Sequence, residues 1–258
     1  MNLQLTGKRA LVTGSTAGIG LAIASVLTRE GAEVILNGRT QARVDEALRL
    51  SGAAHGIAAD LGTEEGAREL IAQFPAVDIL VNNLGIFEPK PFGEIPDNDW
   101  RRFFEVNVLS GVRLSRHYIG AMREKNWGRI VFISSESALQ IPSEMIHYGM
   151  TKTAQLAVSR GIAETTAGTA ITVNAVLPGP TRSEGVNDFL DRLAAASGVD
   201  SAAQERDFFR DARPSSLLRR FINPEEIADV VAFVCSPLAS AINGSAVRAD
   251  GGVVRSIA

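Results

Sequence analysis

One rhythm constrains this chain more than any other feature. Short apolar runs rich in β-branched residues alternate with longer segments whose apolar residues recur every three or four positions. Residues 9–13, 33–37, 55–59, 77–81, 129–133, 170–177 and 246–249 read as strands, with 55–59 the weakest. Helical periodicity fills 19–30, 41–50, 64–74, 97–125 and 147–165, with Asp97 a candidate N-cap. Asn223-Pro224-Glu225-Glu226 is a strong helix start: a capping side chain, a proline in the first turn and a glutamate three residues after the cap.

The early strands show little polar alternation, which suits strands covered on both faces. Strand–helix–strand repetition calls for parallel pairing with right-handed crossovers. The expectation is an α/β fold: a Rossmann-type, doubly wound, mostly parallel sheet of seven strands with helices on both faces. Residues 1–258 would form one domain, with its ligand at the carboxyl ends of the strands. Residues 182–220 break the rhythm and are expected to form a helical excursion over the site. Phe189, Leu190, Leu193, Phe208, Phe209, Leu217 and Leu218 supply that stretch with apolar surface for a substrate lid or for an interface. Its arginines and acids are equal in number, which favours neither a strongly anionic nor a strongly cationic substrate.

Composition narrows the partners. Lys+Arg total 26 and Asp+Glu 29, a formal charge of −3, so nothing attracts the chain generally to nucleic acid or to an anionic membrane. A single cysteine, Cys235, excludes an intrachain disulfide, and His55, His117 and His147 are scattered without metal-ligand spacing. The amino terminus lacks the charged head and apolar stretch of a secretion signal, and no apolar run reaches membrane-spanning length. A cytoplasmic protein acting on a small molecule is expected.

The chemistry-bearing motifs fall at strand ends. Thr13-Gly14-Ser15-Thr16-Ala17-Gly18-Ile19-Gly20 joins the first strand to the first helix. Glycines at such a junction let backbone approach a pyrophosphate, which the helix N-terminus favours; the plain alternative is a tight turn. Arg39 follows strand two, and no acid lies between Val34 and Thr40. A cation there suits the 2′-phosphate of NADP, whereas NAD favours a carboxylate; a solvated surface arginine is equally consistent. NADP(H) is therefore favoured over NAD(H). Asp60, before Leu61 at the end of strand three, could accept from an adenine amino group or cap a helix. Asn82-Asn83-Leu84-Gly85 could tie neighbouring strand ends together beside the adenosine ribose, or form a plain loop.

Tyr148 and Lys152, four apart, share a helix face. A phenol with pKa near 10 transfers protons poorly at neutral pH, and a nearby ammonium favours its phenolate. Lowering it by about 3 units takes about 4 kcal/mol. Taken alone, such a pair is more often an ordinary helix surface. Ser135, at the end of strand five, could hold a substrate oxygen, or be a turn serine. Asn107, a poor helix former inside a long helix, could hold a water against the lysine or bond the backbone. Pro178 and Gly179 stop strand six, and Thr181 could bond a carboxamide.

In this order, the motifs resemble those of the classical short-chain dehydrogenase/reductase family over nearly the whole chain. The resemblance rests on Gly14, Gly18 and Gly20 of the turn, Asn83 and Gly85, and Asn107. It rests equally on Ser135 thirteen residues before Tyr148, on Lys152, and on Pro178-Gly179. It implies that Ser135 holds the carbonyl oxygen and that Tyr148 exchanges a proton with it. Lys152 would lower the tyrosine pKa and bond the nicotinamide ribose, while Asn107 anchors a relay water. Gly14, Ser15, Thr16, Gly18, Ile19, Gly20, Arg39, Asp60, Leu61, Asn83, Gly85, Tyr148, Lys152, Pro178, Gly179 and Thr181 would contact the cofactor. Homotetramers or homodimers are implied, with helices of the fourth and fifth crossovers between subunits. Leu84 departs from the family's usual alanine and Thr151 from its usual serine. Glu136 and His147, beside the serine and tyrosine, could touch substrate, but adjacent helix residues point in different directions, and facing solvent or supporting the site from behind is the favoured expectation.

The implied activity is hydride transfer between a nicotinamide and a carbonyl or secondary alcohol. A 3-oxoacyl-[acyl-carrier-protein] reductase is the alternative and calls for a basic docking patch, for which Arg123, Lys125 and Arg129 are candidates. A non-catalytic NAD(P)-binding sensor is the alternative of another class.

Overall fold

Seven strands, β1 (Arg9–Val12), β2 (Glu33–Gly38), β3 (His55–Ala58), β4 (Ile79–Asn82), β5 (Gly128–Ile133), β6 (Ile171–Pro178) and β7 (Ala246–Ala249), form one sheet. The order is β3-β2-β1-β4-β5-β6-β7, and every neighbouring pair is parallel. The computed structural model describes residues 2–182 and 201–257. Strand order reverses between β1 and β4, where a doubly wound sheet opens its ligand crevice.

The helices are α1 (Gly18–Arg29), α2 (Gln41–Ser51), α3 (Glu64–Gln73), α4 (Asp97–Phe104), α5 (Ser110–Glu124), α6 (Ile146–Glu164), α7 (Ser201–Asp211) and α8 (Pro224–Cys235). Alternate strand residues feed two separate cores. Ala10, Val12, Leu36 and Val81 pack with Ile23 and Leu27 of α1 and Val231 of α8. Leu11, Ile35, Leu80 and Phe132 pack on the other face with Leu70 of α3 and Leu114 and Met122 of α5. A strand buried on both faces cannot show polar alternation, and this burial explains the continuous apolar runs.

Two expectations about the fourth crossover need correction. Asp97 is not the cap: Pro96 holds the extended cap position, and Asp97 begins the helix with Asp99 in its first turn. The expected continuous helix over 97–125 is interrupted by a π-helical turn, Glu105–Leu109. One wide turn swings the side chains after it relative to those before, and such turns recur at functional sites. Asn107 lies inside it.

At the start of α8, Asn223 N donates to Glu226 Oε2 (2.9 Å) and Arg220 grips both carboxylate oxygens. The Arg220 hydrogen bonds, with the Asn223 amide, hold the Glu226 carboxyl down to about 2. The excursion contains α7, whose Phe208 and Phe209 pack against Phe221. Phe189, Leu190 and Leu193 lie outside the described residues. Leu217 and Leu218 do not join that cluster; both are exposed, with their amides on Gly251 O. Among the described residues, no helix is long and apolar enough to cross a membrane.

Candidate active site

The carboxyl ends of the strands frame a cleft of about 830 Å³. Ile19, Asn83, Gly85, Ser135, Tyr148, Lys152, Pro178, Gly179 and Thr181 all line it. Residues spread over 163 positions of sequence thus meet on one wall because parallel strands all end on the same side.

The first rim is the turn after β1. Gly14 takes a left-handed φ of 58°, donates its amide to Asn37 Oδ1 (3.2 Å) and faces Leu84 so closely that a Cβ would meet Leu84 Cα at 3.2 Å. A Cβ on Gly20 would stand 2.5 Å from Asn83 Nδ2 and 2.6 Å from Gly14 O. That close approach brings α1 end-on to the turn. Ala17, at its cap, has no side-chain acceptor to offer the first amides. A glycine-lined helix start with such free donors fits a dinucleotide pyrophosphate. Ser15 takes another part: its buried hydroxyl points inward to Val12 O (2.7 Å), and its amide bonds Asn37 O. Thr16 leans on Gly38, where a Cβ would touch its Cγ2 at 2.4 Å. Arg39 stands exposed just beyond β2. Asp60 is exposed beyond β3 and accepts from Gly62 N (3.0 Å); Thr63, rather than Asp60, caps α3. Leu61 is buried in the core. Arg39, Asp60 and Leu61 sit outside the cleft lining.

Beyond β4, Asn83 ties strand ends as its type suggests, with Nδ2 donating to Thr13 O (2.9 Å) and Gly14 O (3.0 Å). Leu84 packs underneath against the second core. Pro178 ends β6, and a Cβ on Gly179 would meet Asp250 O at 2.4 Å. Thr181 donates its hydroxyl to Gly179 O (2.9 Å).

The reacting groups sit at the centre. Ser134, Ser135 and Ser137 all border the cleft, and Ser134 spends its hydroxyl hydrogen on Lys152 O (2.9 Å). Ser135 Oγ accepts from Ser137 N (3.1 Å), donates to Glu136 Oε2 and shares a hydrogen bond with Tyr148. The Lys152 ammonium is buried and lies 5.5 Å from the Tyr148 ring centroid. It donates to Ile133 O (2.9 Å) and Gln155 Oε1 (3.3 Å). Burial lowers its pKa to about 8, with Glu136 opposing that shift.

The expected acidification of the phenol by Lys152 is not what this arrangement produces. Burial pushes the Tyr148 pKa up and the Glu136 charge adds to the rise; the Ser135 bond and the Arg213 charge only partly counter it. Asn107 is held by protein on several sides, with its Oδ1 and Lys152 Nζ both facing Gly85. Its side chain accepts from Ile86 N (2.8 Å) and donates to Ile86 O and Thr151 Oγ1 (both 3.0 Å). Its backbone carbonyl accepts from Gln155 Nε2 (2.5 Å), so one carboxamide bridges Lys152 and the π-turn. Gln155 was legible as Lys152's neighbour three residues along the helix.

Of its two favoured expectations, Glu136 takes the supporting place, not the solvent-facing one. It is buried rather than facing solvent, and its Oε1 accepts from Arg213 Nε (3.2 Å). Arg213 Nη1 also reaches Glu144 Oε1 (3.2 Å). His147, by contrast, is a packing residue, sandwiched by Trp100 and Phe103, and burial lowers its pKa. The candidate docking residues lie at the amino end of the sheet, opposite the cleft. Arg129 is buried and donates to Gly128 O and Ala170 O; Lys125 pairs with Asp78, and Arg123 bonds Thr165 O.

A glycine-cradled helix start, a serine–tyrosine contact and a buried lysine in one crevice define a nicotinamide-dependent oxidoreductase. A family model described as enoyl-(acyl carrier protein) reductase matches residues 14–254. The chain is 53% identical to the uncharacterized oxidoreductase YvaG of Bacillus subtilis, over 100% of both chains. It is 34% identical to the 3-oxoacyl-[acyl-carrier-protein] reductase FabG of Aquifex aeolicus, over 98% of this chain and 100% of that one. The structure of L-sorbose reductase from Gluconobacter frateurii, complexed with NADPH and L-sorbose, superposes with a TM-score of 0.93 at 31% identity, over 100% of both chains. The chain belongs to the classical short-chain dehydrogenase/reductase family. It is an enzyme that interconverts carbonyl and alcohol groups of small molecules with a nicotinamide cofactor.

Proposed function

We propose that the protein is an NADP(H)-preferring carbonyl reductase whose reacting groups are Ser135, Tyr148 and Lys152, with Asn107 positioning them. The observation that carries this reading is the convergence of all three reacting groups on one cleft beside the Gly14–Gly20 turn. Bound there, the nicotinamide supplies or accepts the hydride. The Ser135 hydroxyl holds the carbonyl oxygen, and Tyr148 Oη delivers a proton to it in reduction and removes one in oxidation. A phenol whose pKa is raised keeps its proton at neutral pH, which suits the reducing direction. Lys152 brings positive charge beside the developing alkoxide, and Gln155 and Asn107 keep that charge in place.

The turn from Gly14 to Gly20, with Ile19, Asn83, Gly85, Pro178, Gly179 and Thr181, would hold the cofactor. Ser15 acts there through its turn geometry, and Asp60 and Leu61 shape the adenosine end from outside the cleft. Exposed Arg39, unpaired among the described residues, supports preference for a 2′-phosphate. In this reading the described part of the excursion, 201–220, walls the substrate end of the cleft, and the protein works in the cytoplasm as a homotetramer or homodimer. Reduction of a carrier-bound acyl group would need a docking patch other than Arg123, Lys125 and Arg129.

Tyr148→Phe tests the assignment. Turnover should fall at least a hundredfold while cofactor affinity, read by nicotinamide fluorescence, stays within about threefold. Unchanged turnover would return the protein to the sensor class. Comparing kcat/KM for NADPH and NADH, in the native enzyme and in Arg39→Ala, tests the cofactor preference. A native preference for NADH overturns it.

A further inference from the structure

Glu136 has no part in the scheme above, yet its carboxylate stands one hydrogen bond from the hydroxyl that handles the substrate. Ser135 Oγ donates to Glu136 Oε2, while Arg213 Nε fixes Oε1 at 3.2 Å. Both side chains are buried, and both line the cleft with Tyr148. The arrangement is therefore built into the wall facing the reacting centre.

A serine hydroxyl has one hydrogen to give. In the structure Glu136 receives it, and Ser135 accepts from Ser137 N at 3.1 Å. To hold a carbonyl oxygen, Ser135 must turn that hydrogen toward the substrate. Glu136 Oε2 then loses a donor, and a buried carboxylate oxygen left short is costly. The missing donor has to come from the place where the carbonyl oxygen now sits. A hydroxyl on the adjacent carbon lies within reach of both oxygens.

We propose that Glu136 selects carbonyl substrates bearing a hydroxyl on the neighbouring carbon: α-hydroxy ketones in reduction and vicinal diols in oxidation. This rests on the reading of Ser135 as the hydroxyl that holds the carbonyl oxygen. The substrate hydroxyl donates to Glu136 Oε2 and replaces the Ser135 hydrogen. In reduction the carbonyl carbon gains hydride from the reduced nicotinamide and its oxygen gains the Tyr148 proton, while the neighbouring hydroxyl is unchanged. Arg213 is a positioning residue, holding the carboxylate edge-on to the cleft. Its Nε is engaged by Glu136 and its Nη1 by Glu144.

Matched pairs of four- to eight-carbon 2-ketones, with and without a hydroxyl on the carbon next to the carbonyl, test the proposal with the holoenzyme. The hydroxy ketones should be reduced with kcat/KM about 10- to 100-fold higher. Glu136→Ala should erase that preference, bringing the hydroxy-to-plain ratio of kcat/KM within each pair close to one. Glu136→Gln, which keeps an acceptor and the volume, should restore part of it. Cofactor binding by nicotinamide fluorescence and far-UV circular dichroism establish that the variants are folded. Equal efficiency within pairs for the native enzyme, or a preference that survives Glu136→Ala, overturns the proposal while the reductase assignment stands. No reduction of any carbonyl compound with either cofactor overturns that assignment, and this proposal falls with it.

Discussion

At the scale of single residues, the spacing of Tyr148 and Lys152 was legible because a helix puts i and i+4 on one face. Their electrostatics were not. The lysine sits 5.5 Å from the ring centroid with its hydrogens on Ile133 O and Gln155 Oε1, and the phenol is pushed up rather than down. Glu136, the group most responsible after burial, is held by Arg213, 77 residues away, and no local pattern announces such a pair. Gln155 did leave a trace at i+3 from Lys152, and its contribution can be measured. Gln155→Leu removes an acceptor from a buried ammonium and a donor from Asn107 O. Hydrogen bonds to charged groups contribute about 1.5–3 kcal/mol, so kcat should fall about tenfold or more. The alkaline limb of the reduction profile, set by Lys152 near 8, should move to lower pH. A full-strength enzyme with an unmoved profile would remove Gln155 from the machinery. At the other rim, Gly20→Ala places a methyl 2.5 Å from Asn83 Nδ2. It should weaken cofactor binding at least tenfold by fluorescence titration, because α1 must back away from the turn.

At the scale of elements, every strand was readable in place to within about two residues, since a strand buried on both faces announces itself by composition. The fourth crossover was harder. Apolar periodicity runs across α4 and α5 without registering one wide turn, so the π-helical Glu105–Leu109 was invisible although it aims Asn107. The packing of α4 on α6 hides another feature, the His147 ring between Trp100 and Phe103, with neither ring nitrogen hydrogen-bonded among the described residues. Burial lowers its pKa from 6.5, against opposing pulls from Asp99 and Glu88. The unfolded chain therefore takes up the proton first. The neutral ring's contribution is complete above about pH 6.5 and is lost progressively as the pH falls below that. Urea midpoints should drop between about pH 7.5 and pH 5.5 in the native protein, and drop less in His147→Phe. Parallel slopes in the two proteins would assign the acid sensitivity to other groups.

At the scale of the whole molecule, the sheet and its ligand crevice follow from the alternation of strands and helices, but the closing of the site does not. Several contacts return the segment from α7 to α8 to the body. Thr181 bridges Ile222, Leu217 and Leu218 bond Gly251 O, Ser215 Oγ donates to Val253 O, and Arg213 reaches Glu136 and Glu144. Of these, only the Arg213–Glu136 pair is a charge pair buried on both sides. Such a pair contributes little net stability as a unit, yet breaking it from one side strands a charge away from water. Arg213→Met should therefore lower the unfolding free energy by about 3–5 kcal/mol. Glu136→Gln in the same chain should recover most of that loss, because the stranded charge is gone. The double-mutant cycle, read from urea denaturation, should show a coupling of about 2 kcal/mol or more. Hydrogen exchange over 201–222 should quicken in Arg213→Met and slow again in the double variant. Losses that simply add, with exchange unchanged, would mean that the apolar contacts of Phe208, Phe209 and Phe221 hold this segment alone, and that the charge pair serves only the chemistry of the cleft.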